Sequence, residues 1–345
     1  MRLQSDAALP TLERLLREKY GLRLERTEKS SAGAGSDTWF LSCAEGKFVL
    51  KFPASSEINH PESELCAFLR ENGIPACDFV KNRAGRCVSV DSSGRVFTLQ
   101  RHLSGRTLEW NSAPETILLE SAELLGRIHS VLRNYPALPE GIGAGFFAHM
   151  TPQRALASYQ GSLATAIRQG DSEIADELEW RIGLMERFPA WKFDLNRLTR
   201  CNTHGDYFIS QFLCKDGHLT AVIDWTTACV HPVIWEIMRS FVYGAPCCAN
   251  GEIDTQLLKR YIAAYRRYGT LNAYDRENID ISFCQSITSR AVISESLRFL
   301  KNGRAFFRSQ YRIGCDSKPA NHSLAKTRTN KMALVSAIIL LSNGK

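Results

Sequence analysis

Two aspartates, Asp206 and Asp224, lie eighteen positions apart in the segment THGDYFISQFLCKDGHLTAVIDW. Asp206 follows a His-Gly pair, and Asp224 ends the strand-like run AVID after a hairpin predicted from an Asp-Gly turn. A carboxylate at a strand end, facing another from a preceding loop, can hold a divalent cation beside a substrate hydroxyl. Gln211, five positions after Asp206, adds an amide oxygen. Singly, Asp206 also fits a turn and Asp224 a helix N-cap, but the joint spacing favours a metal and phosphate site.

A lysine upstream supplies the positive charge that nucleotide phosphates require. Lys51 ends the alternating run FVLKF, on the strand face opposite Phe48 and Leu50. It is therefore expected to reach into a cleft, although a single strand lysine is more often a surface residue. Glu62, near the start of the next predicted helix, is its expected partner, and Glu64 competes for that role.

A glycine-rich loop, SSAGAGS, precedes this lysine strand at residues 30–36. It lies between two strands, which excludes a Walker A or Rossmann turn because those motifs lead into a helix. Its small residues would let backbone amides approach phosphates. The residues expected to do so are Ser31, Gly33, Gly35 and Ser36.

The elements that must position these residues change along the chain. Alternating segments and turns predict an antiparallel sheet up to about Leu103. One helix is predicted over residues 9–20, and another begins after Pro61 and is closed by Gly73 and Pro75. Long helical patterns follow at 113–134, 152–169 and 171–187, and the chain is predicted to be helical from Pro232 to its end. The only later strands predicted are those of the hairpin before Asp224. The pattern indicates an α+β chain with an N-terminal domain at 1–103, a second at 104–345 and a linker near 100–107.

Composition narrows the class of protein. In this chain of 345 residues, 44% are hydrophobic and 23% charged, which is typical of a globular protein with a substantial core. A net charge of +7 suits an anionic ligand such as a nucleotide. No basic run with interleaved aromatics points to nucleic acid, and no segment predicts a signal peptide or membrane span. Eleven scattered cysteines without metal-binding spacing predict reduced thiols in the cytoplasm.

These segments together resemble the aminoglycoside phosphotransferase and choline kinase family of small-molecule kinases. The family's His-Gly-Asp, an amide residue five positions later and Ile-Asp-Trp appear here as HGDYFISQ and VIDW. FVLKF, ESELCAFLRENGIPA, LQRHLSGRTL and LLGRIHSVL are similar to its lysine strand, first helix, interlobe linker and Leu-Gly helix. The resemblance spans about residues 30–243 in the family's order. It implies a bilobal protein-kinase-like fold with a small antiparallel-sheet N-lobe and a larger, mainly helical C-lobe.

The resemblance also implies a role for each residue. Asp206 would orient the acceptor hydroxyl and accept its proton, while Asp224 and Gln211 would hold Mg²⁺. Lys51, oriented by Glu62, would bind the phosphates of ATP, or of GTP. The nucleotide base would bond backbone groups of Gln100, Arg101, His102 and Leu103. His204 would brace the catalytic loop. The helix predicted in HPVIWEIMRSF follows at once, and Trp235 and Glu236 are expected to tie it to that loop, although core packing is the commoner role for Trp235.

Two features distinguish the chain from protein kinases. Gly205 stands where protein kinases have arginine, and seven residues between Asp224 and Pro232 are too few for an activation segment. Gln211 departs from the family's Asn at this position, so a catalytically weak or inactive protein that binds nucleotide is the alternative to a kinase.

The resemblance implies an acceptor that is a small molecule with a hydroxyl group, and a monomer or homodimer. It implies neither a nucleic acid nor a membrane as partner. From residue 240 onward, 16 Lys and Arg face 7 Asp and Glu, which disfavours a polycationic aminoglycoside. A few carboxylates there could still serve one; the candidates are Asp254, Asp275, Glu277 and Asp280. Macrolide, amino-alcohol, sugar and homoserine-like acceptors all remain open.

Overall fold

The described part of the chain begins with the helix α1 (Ser5–Tyr20), and a five-stranded antiparallel sheet follows it. The computed structural model describes residues 5–30, 36–53, 62–140, 152–187, 194–250 and 253–277. Its strands, in the spatial order β1-β2-β3-β5-β4, are β1 (Leu24–Lys29), β2 (Ser36–Cys43), β3 (Gly46–Pro53), β4 (Val88–Val90) and β5 (Val96–Arg101). Helix α2 (Glu62–Glu71) connects β3 to β4. The predicted α+β class and the N-terminal sheet are confirmed.

Alternation along these strands decides which side chains reach the site. One face buries a core against α1, made of Leu12, Leu16, Trp39, Leu41, Phe48, Leu50, Phe52, Phe97 and Leu99. The opposite face carries Lys51, which lies between Thr38 of β2 and Thr98 of β5 in the register. A slip of one residue would exchange the two faces, so the buried aromatics hold Lys51 towards the cleft.

Helices dominate the remainder of the described chain. They are α3 (Glu115–Leu132), α4 (Pro152–Arg168), α5 (Ser172–Arg187), α6 (Val233–Gly244), α7 (Thr255–Tyr265) and α8 (Ala273–Glu277). Apolar residues of α3 recur every three or four positions and are buried. Gly126 on that face allows close approach of α7, because a Cβ there would lie 2.3 Å from the carbonyl oxygen of Tyr265. The predicted helical tail beyond residue 277 lies outside the described residues.

The sequence-based prediction of a single late hairpin was incomplete. Strands β7 (Phe212–Lys215) and β8 (His218–Val222) form that hairpin. A second antiparallel pair, β6 (Arg200–Thr203) and β9 (Cys229–Pro232), flanks it in sequence and was missed. Because Thr203 pairs with Cys229, this ladder fixes both ends of the segment that contains Asp206 and Asp224.

Two further expectations concern thiols and membranes. The nine cysteines among the described residues are free thiols, as predicted. No helix among those residues is both long and apolar enough to cross a membrane.

Candidate active site

Lys51 and Asp224 are 173 positions apart in sequence and form an ion pair. Nζ of Lys51 lies 3.2 Å from Oδ1 of Asp224, and the lysine side chain is only 16% exposed. Burial alone would lower the pKa of Lys51, but the negative charges of Asp224 and Glu62 outweigh it and raise that pKa. For Asp224, burial opposes ionisation, yet Lys51 and a hydrogen bond from Thr226 hold its pKa below the usual value. The pair is therefore charged at neutral pH.

Asp224 follows β8 by two residues and has an unusual backbone conformation. Its φ of 64° and ψ of 65° lie in the left-handed region, which an aspartate adopts at a cost. It precedes a short 3₁₀ turn, Trp225–Thr227, but its side chain makes no cap hydrogen bond. Lys51 and Thr226 both donate to Oδ1, so Oδ2 accepts no hydrogen bond from the described residues. That oxygen is available for a further contact.

Glu62 begins α2 and lies beside this pair rather than directly on the lysine. The ion pair of Lys51 is with Asp224, whereas Oε1 of Glu62 accepts a hydrogen bond from the backbone N of Trp225 at 3.1 Å. Burial and the charge of Asp224 raise the pKa of Glu62 to about 7, even though Lys51 opposes the shift. Glu62 thus fixes the residue that follows Asp224.

The catalytic-loop candidates are held by a turn at Gly205. This glycine has φ of +79°, and a Cβ would lie 2.1 Å from the carbonyl oxygen of Thr227, so no other residue fits. Its neighbour His204 accepts a hydrogen bond from the backbone N of Asp206 on Nδ1 and therefore donates through Nε2 to Ile223 O, 3.0 Å away. His204 joins the two aspartate-bearing segments, as expected.

A network of buried hydrogen bonds holds the same turn against α6. The N–H of Gly205 donates to Oε1 of Glu236 at 2.7 Å, and Nε2 of His129 donates to Oε2 at 2.8 Å. Nδ1 of His129 lies 3.0 Å from the hydroxyl oxygen of Tyr265. Burial would raise the pKa of Glu236, but His129 outweighs it and the pKa is lowered. The predicted tie between Glu236 and the catalytic loop is present.

Asp206 has a partner on each carboxylate oxygen. Nε2 of Gln211 donates to Oδ2 at 3.2 Å, and Nη2 of Arg239 donates to Oδ1. Burial raises the pKa of Asp206 despite the opposing charge of Arg239. The negative charge of Asp224 also acts to raise it.

Only some of the residues expected to contact the nucleotide lie in the described part of the chain. Ser31, Gly33 and Gly35 lie outside the described residues, whereas the hydroxyl of Ser36 is 2.9 Å from that of Thr38. The backbone N–H groups of Arg101 and His102 already donate to Asp78 O and Lys47 O.

Gln100 lies on the same sheet face as Lys51, opposite Val49. Its Nε2 is buried without a hydrogen-bond partner among the described residues. Leu103 follows β5 at the linker.

Arg239 is the site residue that sequence reasoning missed. It lies on α6, three positions after Glu236, where helical spacing gives no sign of what it faces.

Two of the carboxylates considered for acceptor binding already accept hydrogen bonds from neighbouring residues of the protein. Asp254 caps α7 through Gln256 and Leu257, and buried Asp275 accepts from Thr199 and Asn272.

A lysine-bearing antiparallel sheet facing two aspartates on a mainly helical part defines a small-molecule kinase of the protein-kinase-like fold. The profile of the phosphotransferase enzyme family matches residues 27–277. The chain belongs to that family, and its acceptor is a hydroxyl group on a small molecule.

Individual relatives agree with this class. A protein named homoserine kinase from Methylobacillus flagellatus is 27% identical over 240 residues, which is 68% of each chain. One of the same name from Pseudomonas aeruginosa is 26% identical over 281 residues, 78% of this chain and 80% of its own. Among solved structures, an amicoumacin kinase bound to AMP-PNP and Ca²⁺ aligns over 97% of this chain and 94% of its own, with a TM-score of 0.59 and 13% identity. A macrolide 2'-phosphotransferase from Brachybacterium faecium aligns over 94% and 97%, with a TM-score of 0.52 and 19% identity. These two likenesses concern the fold.

Proposed function

We propose that this chain transfers the γ-phosphate of ATP to the hydroxyl group of a small metabolite or antibiotic. The observation that carries the proposal is the contact between Lys51 on the sheet and Asp224 on the helical part, beside Asp206. Lys51 binds the nucleotide phosphates. The acceptor oxygen forms a bond to the γ-phosphorus while the bond to the β,γ-bridging oxygen breaks, leaving ADP, and the hydroxyl proton passes to Asp206.

Mg²⁺ is the expected metal, and the donor set fits it. Oδ2 of Asp224 accepts no hydrogen bond from the described residues, and Gln211 offers an amide oxygen. Such oxygens are the ligands Mg²⁺ takes. No cluster of three His, Cys, Asp or Glu side chains suited to a metal occurs in the described part, so the other ligands would come from phosphates and water. When bound, the ion offsets negative charge on the phosphates.

The second candidate is a kinase-like protein that binds nucleotide with little turnover. Its support is the hydrogen bond from Gln211 to Asp206, which occupies one oxygen of the base. Nucleotide binding alone does not distinguish the candidates, because both bind Mg-ATP.

The test is an acceptor panel with Mg-ATP and, separately, Mg-GTP, followed by ³¹P NMR and mass spectrometry. The panel holds homoserine, 3-aminopropan-1-ol, a hexose, a macrolide and an aminoglycoside. We expect one acceptor class to be phosphorylated and Asp206→Asn to abolish turnover. Asp216→Asn is the matched control, since Asp216 lies in the exposed β7–β8 turn. Nucleotide binding without phosphorylation of any acceptor would favour the second candidate.

The two-lobe division at about residue 103 and a cytoplasmic location belong to the same proposal. The division has support from the separate core that the sheet forms with α1. The free thiols support a reducing compartment. Limited proteolysis with mass spectrometry tests the first, and fractionation of the source cells tests the second.

A further inference from the structure

Arg239 lies at the place where the acceptor must bind. Its Nη2 donates to Oδ1 of Asp206, while Gln211 donates to Oδ2. The two side chains therefore contact different oxygens of the same carboxylate. A hydroxyl that gives its proton to Asp206 must come within about 3 Å of that carboxylate. The guanidinium is then one hydrogen-bond length or two from the reacting oxygen.

An aromatic shelf holds the guanidinium in this position. The central carbon of Arg239 lies 5.0 Å from the ring centre of Phe208 and 5.5 Å from that of Tyr243, both within cation–π range. The ring of Trp110 packs edge-on against Phe208, with ring centres 6.0 Å apart, and in a tilted arrangement against Tyr243, with ring centres 4.9 Å apart. Since Trp110 is still 48% exposed, the shelf continues outward as an apolar wall.

The arginine is only partly satisfied by the protein. Asp206 is its one carboxylate partner within ion-pair distance among the described residues, and its side chain is 23% exposed. Its Nε is buried without a hydrogen-bond partner. A guanidinium offers five N–H donors in a planar fork that matches a carboxylate. The part of the guanidinium that reaches solvent beside Asp206 can therefore bind a second anion.

We infer that Arg239 binds a carboxylate of the acceptor, so that the substrate is a hydroxy acid whose acid group lies a few bonds from the phosphorylated hydroxyl. This inference rests on the proposed kinase function and names its substrate class. The aromatic shelf contacts the carbon skeleton, Arg239 holds the acid, and Asp206 receives the hydroxyl proton. An acceptor whose ammonium group lay at this point would be repelled by the guanidinium.

The nucleotide phosphates are the competing anion. Lys51 and Asp224 mark their position, and Arg239 belongs to neither contact. A phosphate role for Arg239 would make its loss affect every acceptor equally. A carboxylate role would make its loss affect acids more than their neutral analogues, and this ratio distinguishes the two.

The experiment compares each acid with its amide, using the pairs L-homoserine with L-homoserine amide and 4-hydroxybutanoate with 4-hydroxybutanamide. For wild type we expect kcat/KM for the better acid to exceed that of its amide at least tenfold. Arg239→Gln should reduce this ratio to about one, and Arg239→Lys should restore part of it because the charge returns without the fork. Arg260→Gln is the control, since Arg260 pairs with Glu115 at the surface of the same helical part.

Calorimetric titration of each pair into the protein with Mg-AMP-PNP provides a second readout that needs no turnover. Tighter binding of the acid, lost in Arg239→Gln, supports the inference even if no acceptor is phosphorylated, in which case only the proposed function fails. The inference is overturned if wild type uses or binds amides as well as acids, if a neutral or purely cationic panel member is the best acceptor, or if Arg239→Gln keeps the acid preference.

Discussion

The backbone N–H of Gly205 and the carboxylate of Glu236 are joined by a 2.7 Å hydrogen bond, which anchors the candidate catalytic loop to α6. Glu236 is fully buried and also accepts from His129. Glu236→Ala leaves both donors without a partner, so we expect a loss of about 3 kcal/mol or more in the free energy of unfolding, together with a lower kcat. Urea unfolding measures the loss. Glu115→Ala, which removes a surface pair, should cost under about 1 kcal/mol, and equal losses would contradict the anchor.

Gly205 itself provides a test of how tightly the turn is packed. At Gly205→Ala the new Cβ meets Thr227 O at 2.1 Å, whereas Gly217, with φ of +82°, has no atom within 4 Å of such a Cβ. Both substitutions carry a backbone penalty of about 1 kcal/mol. We expect Gly205→Ala to destabilise the protein by several kcal/mol more than Gly217→Ala, measured by thermal unfolding. A difference near zero would mean that the turn can open.

Lys51 is expected to act on the nucleotide. Lys51→Met should lower kcat/KM for ATP by about a hundredfold, because a positive charge on the phosphates is removed. Lys47→Met is the control, since Lys47 is exposed on the same strand. Steady-state kinetics at varied ATP measures both. Equal kinetics for the two variants would remove Lys51 from the site.

Gln211 tests whether an amide oxygen is needed for the metal. Gln211→Ala should raise the Mg²⁺ concentration required for half-maximal activity and reduce kcat, whereas Gln211→Asn should retain a larger share of both. The physical reason is that only Asn keeps an amide oxygen, although on a shorter side chain. Activity at graded Mg²⁺ gives the answer, with Gln160→Ala, on the exposed face of α4, as control. An unchanged Mg²⁺ dependence in Gln211→Ala would rule out the metal role.

Because His231 is buried on β9, we expect it to make the free energy of unfolding depend on pH. Burial lowers its pKa to about 4, although Glu236 opposes the shift. The unfolded chain, with a pKa of about 6.5, binds a proton that the folded chain does not. The contribution of His231 to stability is therefore full well above pH 6.5 and falls as the pH drops towards 4, by roughly 2 kcal/mol at pH 5. Glu62, whose pKa is raised to about 7, changes stability in the opposite direction over this range.

Urea unfolding of wild type and His231→Gln at pH 7.5 and pH 5 isolates this loss as the difference between the two proteins. His231→Gln should remove it, while His218→Gln, at the exposed β7–β8 turn, should not. A wild-type slope that survives in His231→Gln would assign the pH dependence to other groups.

Local patterns predicted the sheet, the lysine face and both aspartates, because alternation and turn chemistry are properties of neighbouring residues. The pair β6 and β9 was missed because four-residue strands carry almost no periodicity and their partners are far apart in sequence. Arg239 was missed for a related reason. Its contact with Asp206 spans 33 positions, and helical spacing shows which face is buried but not what that face meets.

The ladder of β6 and β9 has a consequence for control of the enzyme. Only four residues connect Asp224 to Cys229, where β9 begins, and three of them form a 3₁₀ turn. In this turn the backbone N of Trp225 donates to Glu62, and the hydroxyl of Thr227 donates to His204 O. No stretch between the metal residue and the helix is long enough to be ordered or released by a covalent modification. An activation segment of the kind that protein kinases use therefore has no room between Asp224 and α6.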